Sequence, residues 1–159
     1  MATVERLVRI ERGTSRDLDH VMKVMDAAFG RRFGEAWTRS QCAGILPMAG
    51  VSLMLARDSR DDSPVGFSLV RTVAEESELL LLAVIPSRQR EGVGRMLLDD
   101  FMGRARRDRV TRVHLEVREG NPAVEMYRKA GFSPAGRRRN YYHAPDGKRF
   151  DALTFVQNL

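Results

Sequence analysis

Between Leu79 and Leu98 the chain reads LLLLAVIPSRQREGVGRMLL: an apolar run stopped by Pro86, two glycines at 92 and 94, and then apolar residues at helical spacing. The N–H groups at the start of a helix have no intrahelical acceptor, and glycines let an anion come close to the backbone, so this pattern suits a phosphate. Arg88, Arg90 and Arg95 add positive charge around it. The segment lacks the lysine and spacing of a Walker A loop and the third glycine of a dinucleotide fingerprint. Without those, a plain tight turn from strand to helix is the rival reading.

A second group of residues follows. Glu116 stands among Val113, Leu115 and Val117, and a carboxylate partly withdrawn from water suits a base working near neutrality. The same glutamate could instead pair with Arg118 or Arg112 on an exposed strand face. Asn121 precedes Pro122 and can cap a helix begun there. The run Arg137 to Tyr142, RRRNYY, sets arginines beside tyrosines, a combination suited to phosphate contact and base stacking. Cys42 has no partner for an internal disulfide and no accompanying histidine signature, so it reads as inert core. His20, His114 and His143 show no metal-ligand spacing, and no metal is expected.

The elements that must position these residues can be read from periodicity and breakers. Val4, Leu7, Val8 and Ile10 mark a first strand that Gly13 ends, and Thr14 to Asp17 matches a capping pattern for a helix running to about Phe29. A second helix is expected over Glu35 to Leu46, closed before Pro47. Val51 to Arg57 and Pro64 to Val73 read as a hairpin around DSRDDS. Leu79 to Ile85 reads as a strand covered on both faces, and a helix opens at Gly92. Val110 to Val117 forms a further strand, Pro122 to Ala130 a short helix stopped by Gly131, and Phe132 to His143 with Phe150 to Leu159 a closing antiparallel pair. The fold class is therefore α+β: one mixed, mostly antiparallel twisted sheet of about seven strands flanked by about four helices.

Composition bounds the functional classes. A chain of 159 residues is of single-domain length, so one domain over 1–159 is expected. Its longest apolar run, of eight residues, falls short of the roughly 18 needed to cross a bilayer, and the alternating N-terminus lacks the apolar block of a signal peptide. With a single cysteine, these features point to a cytoplasmic protein without a membrane partner. A net charge of +6 favours an anionic partner, which charge alone cannot name, and an arginine-rich solvated surface would explain it equally well.

The motif Q-x-x-G-x-G after a strand ending in A-V-x-P resembles the acyl-CoA motif of the GNAT acetyltransferases. The segment LEVREGNPAVEMYRKAGF, Leu115 to Phe132, is similar to that family's strand, Asn-containing turn and Tyr-bearing helix. Within the family the chain is most similar to the RimI type, bacterial enzymes that acetylate the N-terminal amine of a small-subunit ribosomal protein. LEVR at Leu115 to Arg118, RRNYY at Arg138 to Tyr142, and the pairing of Asp146-Gly147 with Asp151-Ala152 carry that narrower likeness. Residues 79 to 159 carry most of it; the first half matches in element order and in Trp37-Thr38, near where the subfamily has Trp-Ser. The spacing from Glu116 to Tyr127 is one residue shorter than is usual there.

The resemblance implies acetyl-CoA as co-substrate. It places Leu82, Ala83 and Val84 at the thioester, with strand amides near Val84 as the oxyanion contact where the sheet is splayed. Gln89, Arg90, Glu91, Gly92, Val93, Gly94 and Arg95 would hold the pyrophosphate, and Asn121 the pantetheine arm. Glu116 would accept the amine proton, through water, and Tyr127 would protonate the departing sulfur. A phenol with a reference pKa of about 10 is a plausible match for a thiol near 8.5. The bland alternative for Tyr127 is an aromatic that packs the helix onto the sheet.

Three functional readings follow. The first is N-terminal acetylation of a protein, possible partners including a ribosomal protein; an α-amine near pKa 8 is roughly 10% neutral at pH 7 and a lysine well under 1%, so one glutamate base suits the former better. The second is acetylation of a small-molecule amine. The third is a basic RNA- or ribosome-binding module on a vestigial CoA fold. Under the first reading Arg138 to Tyr142 would border the acceptor groove and nucleic acid is not an expected partner.

Overall fold

The computed structural model describes residues 7–159, so Val4 of the expected first strand lies outside the described residues. Seven strands form one sheet: β1 Val8–Gly13, β2 Val51–Asp58, β3 Pro64–Val73, β4 Glu76–Val84, β5 Arg112–Arg118, β6 Ser133–His143 and β7 Arg149–Asn158. Four helices accompany them: α1 Leu18–Phe29, α2 Arg39–Ile45, α3 Val93–Arg107 and α4 Ala123–Lys129. The expected α+β sheet with about seven strands and four helices is what the chain forms.

Local chemistry explains the boundaries. Thr14 and Asp17 form the expected capping box, which closes a 3-10 turn that leads into α1. The second helix begins four residues later than expected, at Arg39 instead of Glu35. Thr38 accepts from the Gln41 amide while the Gln41 side chain accepts from the Thr38 amide, a second capping box that fixes the start. Glu35 to Trp37 is therefore non-helical backbone.

The strand order is β1-β2-β3-β4-β5-β7-β6, so β7 inserts between β5 and β6 and the closing hairpin lies at one end of the sheet. All neighbours are antiparallel except β4 and β5. Apolar side chains cover the sheet on both faces. Val21, Val24 and Met25 of α1 and Cys42 of α2 cover Leu53, Leu55, Phe67, Leu69, Leu81 and Ala83. On the opposite face Leu98, Phe101 and Met102 of α3 and Tyr127 of α4 cover Leu79, Val113, Leu115, Val117 and Phe155. Burying each such Leu, Val or Phe side chain contributes about 1.5–3 kcal/mol. Cys42 is fully buried and burial pushes its thiol above the ordinary value, in line with an inert core residue.

Two irregularities shape the centre. Leu80 has no partner on β3, since Val70 faces Leu79 and Leu69 faces Leu81; this bulge bends β4 just where it leaves β5. The parallel pairing of β4 with β5 covers only Glu76 to Leu79 against Arg112 to Leu115. Beyond that point the two strands separate, and the gap between them is the site described next.

Candidate active site

Which backbone groups enter the gap follows from register. The Ile85 amide donates to the Val65 carbonyl at 2.9 Å, which makes Gly66 and Val84 a non-hydrogen-bonded pair. Alternation then turns the N–H groups of Leu82 and Val84 away from β3, toward a neighbour strand that is no longer there. The expectation of a splayed sheet with released amides near Val84 describes this geometry. The Val84 carbonyl on the same side accepts from the Gln89 side chain at 3.0 Å, tying the strand end to the turn before α3.

That turn brings a helix N-terminus to the gap. Gly92 has φ +89°, a left-handed conformation that favours glycine, and the first turn of α3 has no side-chain cap. Gly94 sits one residue into the helix and borders the gap; a Cβ there would be in ordinary contact with Met126 Sδ at 3.6 Å and with the side chains of Leu82 and Val84. Arg90 also has positive φ, +63°, which points to a turn held by its surroundings. Arg88 and Arg95 are engaged elsewhere: Arg88 pairs with Asp58 and Glu91, and Arg95 with Asp99. Among the described residues Arg90 makes no ion pair, so it is the arginine of this group left for an anion.

The gap opens into two adjoining spaces. Where α3 and α4 begin lies a cleft of about 590 Å³, bounded by Leu82, Ala83 and Val84, by Gln89, Arg90, Gly92, Gly94 and Arg95, by Asn121 and Tyr127, and by Phe29, Arg32 and Phe33 at the end of α1. This is within the roughly 300–1,000 Å³ of small-molecule sites. Two residues expected there have their side chains elsewhere: Val93 is buried in the core, and Glu91 faces Arg88, so only their backbone can serve an anion. On the α1–α2 side lies a narrower slot of about 110 Å³, bounded by Glu116, Glu78, Trp37, Tyr141 and Tyr142. Tyr127, Asn121, Arg118 and Glu35 border both spaces and mark where they meet.

Glu116 takes neither partner that sequence suggested for a salt bridge. Arg118 pairs with Glu35 and Arg112 with Glu76, while Glu116 Oε1 lies 2.6 Å from Nε of Arg138 on β6. Register explains this: Glu116 faces Thr154 on β7, and Arg138 faces Ala152 two residues along, so the arginine reaches diagonally over β7. Tyr127 is 6% exposed; burial, with a smaller contribution from the Glu35 charge, pushes its phenol well above the ordinary value and keeps it protonated. Tyr142 is raised for the same first reason. It reaches the slot because β6 bulges between Arg138 and Tyr142, with Asn140 at φ +53° and its amide held by Asp151 at 2.9 Å.

Asn121 performs the capping role expected of it. Its side-chain oxygen accepts from the Ala123 amide at 2.9 Å, and its amide nitrogen donates to Glu35 Oε2 at 2.9 Å. Glu35 is the residue that sequence reading missed. Its carboxylate, 10% exposed, bridges Asn121 and Arg118 Nε, the latter at 3.1 Å in ion-pair contact without hydrogen-bond alignment. The Arg118 guanidinium lies 3.6 Å from the centre of the Phe33 ring. The available signal was the T-x-x-Q box at Thr38, which excludes Glu35 from the helix and frees it to face the gap.

Comparison with known proteins agrees with this geometry. A family model described as the Acetyltransferase (GNAT) family matches residues 18–132. The [ribosomal protein bS18]-alanine N-acetyltransferase of Salmonella typhimurium is 39% identical over 121 residues, 70% of this chain and 82% of that relative. The Haemophilus influenzae protein of the same name is 37% identical over 92 residues, and the match spans 63% of its length, 58% of this chain. The crystal structure of the ribosomal-protein-S18-alanine N-acetyltransferase from Escherichia coli superposes with TM-score 0.85 at 27% identity, covering 96% of this chain and 94% of that one. With its sheet opened beside a glycine turn at a helix start and a family match over most of its length, this chain belongs to the GNAT acetyltransferase family.

Proposed function

We propose that this protein transfers the acetyl group of acetyl-CoA to the N-terminal α-amine of a protein. The observation that carries this reading is the meeting of a wide cleft and a narrow slot at Tyr127 through the gap between β4 and β5. A thioester threaded through the cleft would present its carbonyl beside the Leu82 and Val84 amides, and an amine entering from the slot would meet it where the two spaces join. The named activity of the relatives supports the same assignment and points to the alanine N-terminus of ribosomal protein bS18 as the acceptor.

In this reading the amides of Arg90 to Arg95, with the Arg90 side chain, hold the pyrophosphate, since the Gln89 amide is given to the Pro86 carbonyl at 3.3 Å. The Leu82 and Val84 N–H groups stabilise the oxyanion as the amine attacks. Glu116, in the slot, takes a proton from the amine, through water, and Tyr127 protonates the sulfur as the C–S bond breaks. A small first residue fits the acceptor best, because the nitrogen must come within about 3 Å of the thioester carbon inside a slot too narrow for a large side chain.

Thiol release from acetyl-CoA, measured with a peptide bearing a free N-terminal alanine and with its N-blocked, lysine-containing counterpart, tests the assignment. Turnover is expected only with the free N-terminus, and mass spectrometry should place the acetyl group on the α-amine. Acetylation confined to lysine side chains, free polyamines or amino acids would reject the N-terminal acceptor; absence of any turnover would reject the enzyme.

A further inference from the structure

The acceptor slot does not end at Glu116. Along β5 the alternate residues His114, Glu116 and Arg118 point to one face, while Val113, Leu115 and Val117 point into the core on the other. On β4, Glu78 stands directly opposite His114 in the parallel register, and Glu76 opposite Arg112. Glu78 borders the slot together with Glu116, and it also borders a separate, open depression that His114 and Glu76 line at the sheet end. The imidazole sits between the two carboxylates: Nδ1 is 3.8 Å from Glu78 Oε2, and Nε2 is 3.9 Å from Glu76 Oε2.

We propose that Glu78 and His114 form a proton exit from the acceptor slot to solvent, ending at Glu76. This rests on the acetyl-transfer reading above. An acceptor arriving as an ammonium group, R–NH3⁺, loses two protons in becoming the amide. One ends on the sulfur of CoA, through Tyr127, when the N–C bond has formed and the C–S bond has broken. The other is released, giving R–NH3⁺ + CH3CO–S–CoA → R–NH–CO–CH3 + HS–CoA + H⁺. The slot must therefore discharge one proton per turnover, and the peptide that fills it blocks the direct way out.

An imidazole between two carboxylates suits this task because it can take a proton on one nitrogen and release one from the other. The present distances are longer than hydrogen bonds, and a rotamer adjustment or a bridging water closes each. From Glu116 to His114 is two residues of strand, about 6.6 Å, a span that one or two waters cover. The charged groups around the imidazole are Glu76 and Glu78 from β4, Arg112 and Glu116 from β5, and Arg71 of β3, which pairs with Glu78 at 3.7 Å. Across β7 its register partner is Val156, which does not titrate. His114 touches neither reactant; it acts through Glu78.

The test is steady-state acetylation of the free N-terminal peptide by His114→Gln and Glu78→Gln across pH 6 to 9, with and without added imidazole. Both variants should lose roughly tenfold in kcat near neutral pH, less than the ~10²-fold of a lost general base, with KM for acetyl-CoA unchanged. Imidazole should restore most of the His114→Gln rate by carrying the proton itself, which no repair of side-chain contacts would do. Wild-type kcat and pH profile in both variants, or a loss that imidazole leaves untouched while the melting temperature falls, would overturn the relay and leave acetyl transfer standing. Absence of turnover in the wild-type protein would overturn the acetyl-transfer reading, and the relay with it.

Discussion

Arg88 Nη1 and Asp58 Oδ2 lie 2.8 Å apart and join the end of β2 to the turn that precedes α3, with Arg88 also held by Glu91 at 2.7 Å. Asp58 is buried at 3% exposure, and hydrogen bonds from Arg60 and then Arg88 hold its carboxyl well below the ordinary aspartate range. This pair holds from behind the glycine turn proposed to take the pyrophosphate, whose Gln89 amide donates to the Pro86 carbonyl at 3.3 Å. Asp58→Asn should raise KM for acetyl-CoA by roughly tenfold, within the ~10²-fold that a misplacement of about 1 Å can cost.

The same pair gives a pH dependence. The folded protein keeps Asp58 ionised more strongly than the unfolded chain does, so its stabilisation is complete above about pH 5 and drains away as pH falls below the ordinary value near 4. Thermal melts from pH 6 to 3 should show a steeper loss in the wild type than in Asp58→Asn.

The two glycines of the turn should behave differently. Gly92→Ala places a side chain at φ +89° and should cost on the order of 1–3 kcal/mol of stability, read by chemical denaturation. Gly94→Ala should be nearly silent, since its Cβ meets only ordinary contacts, whereas Gly94→Trp should fill the cleft. Calorimetry would then show acetyl-CoA binding lost in a folded protein; retained affinity would remove the cofactor from this helix start.

Glu116→Gln should slow acetylation about 10²-fold near pH 7, with acetyl-CoA affinity kept. The deficit should shrink at high pH, where more of the amine is already neutral. A mutant with wild-type rate and pH profile would leave Glu116 as the ion-pair partner of Arg138 alone.

Tyr127→Phe should lower kcat by about 10²-fold or more, through loss of the proton to sulfur. Because burial raises both Tyr127 and Tyr142, the unfolded chain gives up these protons first, and stability should fall as pH rises above about 10. Tyr127→Phe should flatten that alkaline decline, a difference that melting curves between pH 8 and 11 would resolve.

Local signals, which need only neighbours in the chain, were sufficient for much of this protein. The glycine turn at 92 and 94, the capping box at Thr14, the period-two pattern of β5 and the stop at Gly131 are all short-range chemistry, and they place the elements in order, while the Thr38 box, equally local, went unread and left the expected second helix starting four residues early. The acyl-CoA motif and the Tyr127 helix could be matched to the family for the same reason, since each is carried by a contiguous stretch.

What no contiguous stretch contains is the meeting of distant segments, and there the tertiary structure decided. The strand order β5-β7-β6 lets Arg138 reach Glu116 across β7, in place of the nearer Arg112 and Arg118 that the sequence offered as alternative partners. The early end of β4–β5 pairing after Leu79 and Leu115, next to the bulge at Leu80, creates the gap. Glu35, Arg118 and Asn121 converge over spans of up to 86 residues, and Glu78 finds His114 only through parallel register. Side-chain charge and shape are local properties of the chain; which charge faces which is set by the strand order and register that the buried core selects.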